Sequence, residues 1–208
     1  MGCFWEPAEE MLKVDGVLDT VSGYTGNKRF DDDITTIVPS YDNVCYGREW
    51  VEGVRVTYDD ATISYEELLD VFFDTQNPQP QSRQYSSIVF PHDETQYNAA
   101  VTWSKHNEEM NRERDSDGFQ AIWTSIEYPR TKFYAAEGYH QRYWEKQRPR
   151  FGVVLVLLAI SVGLLDPLFA NNDQMIETIR TVANGSTVVI GLGICLERFL
   201  DSKVVVLD

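Results

Sequence analysis

Hydrophobic and polar positions change period several times along the first 150 residues. Residues 53–59, Gly-Val-Arg-Val-Thr-Tyr-Asp, alternate and predict a half-buried strand. Residues 64–73, Ser-Tyr-Glu-Glu-Leu-Leu-Asp-Val-Phe-Phe, carry apolar residues at helical spacing behind Ser64, with Glu67 three positions on. Together they predict an amphipathic helix opened by a capping box. Upstream, Pro7 with Glu6, Glu9 and Glu10 predicts a helix over 7–13, because proline and acids suit a first turn. A strand over 17–24 follows, closed by Thr25-Gly26, then a solvated polar loop over 27–33. Beyond a Pro- and Gln-rich loop at 76–84, the pattern predicts a strand over 85–90, a polar-faced helix over 93–114 and a strand over 120–128. Strands alternating with helices argue for an α+β fold, a two-layer α/β sandwich with a mixed sheet.

The pattern changes at Phe151. Residues 151–165 contain no charge, and the apolar run continues to 170, broken by Asp166 and Pro167. Its length approaches the ~20 residues that cross a bilayer; an apolar helix docked on the main domain is the plainer reading. The chain therefore divides into a domain at 1–148 and a hydrophobic helical extension at 149–208, a membrane anchor through 151–170. Lys146, Arg148 and Arg150 precede the run while Asp166, Asp173 and Glu177 follow it, which places the first domain on the cation-flanked, reducing side, cytosolic or stromal. A shorter stretch, 188–196, reads as a strand, a buried helix or a return span.

Charge and cysteine usage narrow the function. Thirty-three acidic against eighteen basic residues give a formal charge of −15, which opposes nucleic-acid binding. The three cysteines, Cys3, Cys45 and Cys195, are too scattered for a secreted disulfide framework or a zinc site. Individually reactive thiols in a reducing compartment are the expectation. The chain begins Met-Gly-Cys-Phe-Trp, leaving no room for a leader before Cys3; a strand is expected to lead into such a turn, so a start codon placed too late is a further expectation.

Cys3 stands just before a predicted helix, whose free N–H groups and partial positive charge favour thiolate. Phe4 and Trp5 would wall an apolar pocket for a methyl or thioether group. The bland reading is a small buried cysteine beside two core aromatics.

Several collinear segments alter that balance. The chain resembles the peptide methionine sulfoxide reductase A family through Gly2-Cys3-Phe4-Trp5, Val21-Ser22-Gly23-Tyr24-Thr25-Gly26, Pro39-Ser40-Tyr41 with Val44-Cys45, and Glu52 to Asp59. The likeness continues through Ser64 to Leu69 and Arg83-Gln84-Tyr85-Ser86-Ser87, and ends with Phe133 to Glu137 and Tyr139 to Tyr143. The resemblance implies the ferredoxin-like core of that family, with Cys3 as nucleophile on the sulfoxide sulfur and a cysteine sulfenic acid as intermediate. It implies Glu52 as the acid, kept protonated by partial burial, and Tyr41 and Tyr85 as donors to the sulfoxide oxygen. His140 would be mainly structural. The implied enzyme is a monomeric peptide-methionine (S)-S-oxide reductase acting on oxidised proteins or free methionine sulfoxide, with no bound cofactor or metal and with thioredoxin or another dithiol as reductant.

Two positions depart from the family pattern. Trp50 replaces a histidine two residues before Glu52, and Gln79-Pro80-Gln81 stand near where the family has Gly-Asn-Asp, a change that bears on peptide selectivity. Cys195 and Cys45 are the candidate resolving thiols. Cys45 falls where the family commonly has a buried, non-catalytic cysteine, and Cys195 lies in surroundings more apolar than a mobile tail, so direct reduction by an external thiol is the expected route. A membrane-anchored protein that binds oxidised peptides without turnover is the competing class.

Overall fold

The computed structural model describes residues 3–27, 38–47, 50–75, 82–114, 124–128, 132–169 and 172–207. The elements run α1 (Trp5–Leu12), β1 (Val17–Thr25), α2 (Tyr41–Gly47), β2 (Val51–Tyr58), α3 (Tyr65–Thr75), β3 (Ile88–Val89), α4 (Glu94–Arg114), β4 (Ser125–Ile126), β5 (Phe133–Ala135), a 3-10 turn (Gly138–His140), α5 (Tyr143–Ser161), a second 3-10 turn (Asp166–Phe169), α6 (Asp173–Leu200) and β6 (Val205–Leu207). They form two compact units: residues 1–141 with 203–208, and residues 142–202.

Within the first unit four strands make an antiparallel sheet in the order β2-β1-β5-β6, while β3 and β4 form a separate parallel pair. This is the α+β class expected, with parallel pairing confined to the short ribbon. Tyr24 of β1 lies opposite Glu52 of β2 on one side and Tyr134 of β5 on the other. Residues directly opposite each other share a face, so this register brings Glu52 over the cluster that contains both tyrosines. Gly23 permits the pairing: a Cβ there would stand 2.3 Å from the Phe133 ring and 2.4 Å from the Tyr134 carbonyl oxygen.

Two apolar clusters stabilise the unit. Met11 of α1, Leu68, Leu69 and Phe72 of α3, and Ala100 and Trp103 of α4 form one, joined by Ile63 and Val89. Phe4, Tyr24, Val44, Trp50, Tyr134 and Ala136 form the other. Helix α3 is capped as its sequence demands. Glu67 N–H donates to Ser64 Oγ at 3.2 Å and Ser64 N–H donates to Glu67 Oε2 at 2.9 Å, satisfying two otherwise orphaned donors.

Several elements differ from expectation. Helix α1 opens at Trp5, two residues before Pro7. Helix α2 has no counterpart in the pattern. The strand expected over 85–90 shrinks to Ile88–Val89, with Tyr85 in the preceding turn. The loop residues 28–33 and 76–81 lie outside the described residues.

The second unit corrects the reading of 151–170 as a single span. Helix α5 begins at Tyr143, so the boundary expected near residue 148 falls inside it, and it stops at Ser161. Gly163 sits at φ +80, its N–H donates to the Ile160 carbonyl at 3.1 Å, and Leu164 N–H donates to the Ala159 carbonyl at 2.9 Å. This paired closure needs a left-handed residue just past the helix, and glycine adopts it without a Cβ penalty. The 188–196 stretch belongs to α6. By length and composition α6 is long and apolar enough to cross a membrane. Helices α5 and α6 lie antiparallel: Arg150 and Lys146 pair with Glu197 at one end, Ser161 bonds Asn184, and Asp166 pairs with Arg180 at the other.

Candidate active site

Phe4, the residue after Cys3, is the N-cap of α1, and Cys3 is exposed ahead of it. The Phe4 amide donates to Glu52 Oε2 at 3.2 Å, which ties the cysteine turn to β2. The other carboxyl oxygen, Oε1, accepts from Gln84 Nε2 at 2.5 Å, and the Glu52 N–H donates to the Gln84 carbonyl at 3.1 Å. Glu52 is only 4% exposed. Burial raises its pKa above the usual carboxylate range, and the hydrogen bonds from Gln84 and Phe4 recover only part of that shift. The group is poised to hold and release a proton.

Cys45, on α2, joins this network. Gln84 Nε2 stands 3.4 Å from Cys45 Sγ, and the Tyr41 hydroxyl, one helical turn before it, hydrogen-bonds the same thiol. Tyr85 is within electrostatic reach of Glu52, Cys45 and Cys3. Burial pushes the Tyr85 phenol up to about 12 and moves Tyr41 upward too, so both hydroxyls keep their protons and remain donors. Thus the structure brings Cys3, Glu52, Tyr41 and Tyr85 together, with Cys45 among them. Cys195 is exposed on α6 in the other unit.

The thiolate expectation for Cys3 is corrected. Desolvation pushes the thiol up to about 11, helped by the charges of Glu52 and Cys45, and the hydrogen bond from the Trp5 backbone only partly offsets this. A helix terminus contributes a fraction of an elementary charge, which here loses to desolvation of the thiol, with the nearby carboxyl group adding to the upward shift. Protonating Glu52 removes one of the opposing charges.

Phe4 and Trp5 part company. Phe4 is 1% exposed, its ring centroid 5.8 Å from Tyr24 and 5.2 Å from His140, so it underlies the site rather than walling it. Trp5 is half-buried and donates its indole N–H to His140 Nδ1 at 3.0 Å. That bond places the imidazole hydrogen on Nε2, which faces Glu137 Oε2 at 3.7 Å. His140 is buried among Phe4, Trp5, Tyr41 and Tyr139, a packing centre beneath the site.

Two residues without an assigned role in the sequence prove central. Gln84 carries the shared donor just described. Glu137, 4% exposed, accepts from the Tyr24 hydroxyl at 2.8 Å and from the Tyr41 N–H at 3.0 Å, so a carboxyl group caps the first turn of α2 and holds Tyr41. Both fall in quoted family segments, but long-range partners give no local pattern. Trp50, the departure before Glu52, is core: 3% exposed and edge-on to Tyr134. Among the described residues no cluster of His, Cys, Asp or Glu is arranged to hold a metal.

A family model described as peptide methionine sulfoxide reductase matches residues 1–158. The chain belongs to that family. Members act as oxidoreductases on a sulfur group. The chain is 37% identical over 166 residues to the peptide methionine sulfoxide reductase MsrA of Methanothermobacter thermautotrophicus, covering 76% of this chain and 90% of the relative. It is 39% identical over 153 residues to the MsrA of Halobacterium salinarum, covering 70% and 79%. Among solved structures, reduced Mxr1 from Saccharomyces cerevisiae matches with a TM-score of 0.51 and 31% identity, over 71% of this chain and 82% of that one. The MsrA matches and the Mxr1 likeness agree with the fold and with the family read from the motifs.

Proposed function

We propose that the first unit reduces the S epimer of methionine sulfoxide, in proteins and as the free amino acid, with Cys3 as nucleophile. The Cys3 sulfur attacks the sulfoxide sulfur and the S–O bond breaks. Glu52 passes its proton to the departing oxygen while the Tyr41 and Tyr85 hydroxyls donate to it, and the thiol proton of Cys3 replenishes Glu52. The attack leaves a sulfur–sulfur bond between Cys3 and the methionine; the departing oxygen, as hydroxide, then bonds to the Cys3 sulfur as that bond breaks, so Cys3 is left as a sulfenic acid and methionine leaves. A dithiol of the thioredoxin class then attacks the sulfenic sulfur, water departs, and closure of its own disulfide returns Cys3 as thiol. The exposed edge of Trp5 receives the substrate methyl group. The C-terminal extension anchors the unit to a membrane on the reducing side.

One observation carries the reading most directly: a buried carboxyl group raised in pKa is bonded to the backbone amide that follows an exposed cysteine. Treating the reduced chain with one equivalent of sulfoxide and no reductant, then dimedone, tests it. We expect one methionine released and one adduct, on Cys3. Binding without methionine release would favour a non-catalytic peptide binder.

A further inference from the structure

Residues 151–165 and 181–196 are both free of charge; helix α5 supplies 151–161 of the first, about 16 Å at 1.5 Å per residue before the turn at Gly163, and α6 supplies the whole of the second, about 24 Å. Antiparallel packing of α5 and α6 sets these stretches side by side, with ion pairs closing both ends: Arg150 to Glu197 at 2.5 Å, and Arg180 to Asp166. Along α6, Ala183, Ile190, Ile194 and Glu197 recur on one stripe, and of these Ile190, Ile194 and Glu197 line the groove against Pro149, Arg150 and Val153 of α5. Off that stripe the apolar side chains between residues 181 and 196 are uncovered. Val182, Val188, Val189, Leu192 and Leu196 are 55 to 68% exposed. Uncovered apolar side chains in this number belong in lipid or in a deep core, and among the described residues no core covers them.

Four polar side chains within the stretches, Ser161, Thr181, Asn184 and Thr187, are bonded internally, as hydrocarbon requires. Ser161 Oγ donates to Asn184 across the pair at 2.5 Å, and Thr181 and Thr187 bond back to the carbonyls of Glu177 and Ala183. The ~24 Å of α6 falls short of a ~30 Å hydrocarbon core; residues 162–165 carry the shorter α5 on to the Asp166–Arg180 pair, and the stems of Lys146, Arg150 and Arg180 with slight bilayer thinning close the gap.

Connectivity fixes the number of crossings. The chain leaves the first unit after Gln141 and returns at Lys203 to pair β6 with β5, Val206 opposite Tyr134. One crossing would place β5 and β6 on opposite faces of the membrane. Resting on the reading of the extension as an anchor, we propose that α5 and α6 enter a lipid bilayer together as a two-pass hairpin, both ends on the face of the first unit. Arg142, Lys146, Arg148, Arg150, Arg198 and Lys203 cluster at those ends, whereas the tip between the charge-free stretches has only Arg180 beside Asp166, Asp173 and Glu177. That asymmetry sets the ends on the cytosolic-type side. Cys195 then lies toward the open end of the hairpin, two residues before Glu197.

The full chain expressed in bacterial cells tests this. Membranes are first extracted with alkaline carbonate. Single-cysteine forms, Asp15→Cys, Asp173→Cys or Ser202→Cys with all three native cysteines changed to Ser, are then labelled with a membrane-impermeant maleimide from outside. Retention in the pellet, with residue 173 labelled on intact cells and residues 15 and 202 only after permeabilisation, is the expected result. Retention with residues 15 and 202 on opposite sides, or with all three on one side, overturns the two-pass hairpin, and residues 15 and 202 outside with residue 173 inside overturns its orientation; the anchor survives each of these. Release of the native chain into the supernatant overturns hairpin and anchor alike, and means that a second copy or another protein covers the apolar faces. Sulfoxide reduction is read separately and is decided by none of these outcomes.

Discussion

Gln84 Nε2 stands 2.5 Å from Glu52 Oε1, and the same amide group is 3.4 Å from Cys45 Sγ. A single donor is therefore shared between the carboxyl group that we assign as acid and a neighbouring thiol. Because that bond favours the ionised carboxylate, Gln84 restrains the upward shift that burial imposes on Glu52.

Gln84→Met removes the restraint. Glu52 should then hold its proton to higher pH, and the alkaline limb of the kcat/KM profile should move up by about 1 unit, the worth of one hydrogen bond to a charged group. An unmoved limb with lowered stability would reduce Gln84 to a packing residue.

Cys3 offers a second titration. With its thiol pushed up to about 11, alkylation by iodoacetamide should be slow at pH 7 and climb about tenfold per pH unit toward that value. Glu52→Gln removes a negative neighbour, so the profile should shift to lower pH while sulfoxide reduction falls by about 100-fold or more. Faster reduction in that variant would remove Glu52 from the acid role.

His140→Phe keeps the ring but deletes the acceptor of the Trp5 indole N–H. Leaving that donor unpaired should cost about 1–3 kcal/mol, seen as a lower Tm, with kcat reduced less than about tenfold. A large kcat loss at unchanged stability would make His140 a proton carrier.

Much of the fold was readable because its signals are local. Ser64 and Glu67 specify the start of α3 within four residues, and alternation specifies β2. Helix α2 escaped because it is only seven residues long and its local Ser40–Asn43 cap is joined by Glu137, almost a hundred positions away, which accepts from the Tyr41 N–H. The break after Ser161 depends on one residue, Gly163, inside an otherwise unbroken apolar run, and β6 is three residues long and exists through pairing with β5. At the site, Cys3, Glu52, Tyr41 and Tyr85 came from motif resemblance. That Cys45 sits with them, that Phe4 lies beneath rather than beside the substrate space, and that Glu52 opposes ionisation of Cys3 depend on burial and distance, which no local pattern encodes.

Cys45 and Cys195 bear on recycling. Cys45→Ser and Cys195→Ser should each retain turnover with dithiothreitol within about threefold, since an external thiol can reach the exposed Cys3 directly. Loss of turnover in Cys45→Ser alone would instead make that thiol the resolving partner.

The most direct measurement incubates the purified full chain with each methionine sulfoxide epimer and dithiothreitol and quantifies methionine. We expect methionine from the S epimer only, and none from either epimer with Cys3→Ser. Equal consumption of both epimers, or turnover that survives Cys3→Ser, would contradict the assignment of Cys3 as the sulfoxide-reducing nucleophile.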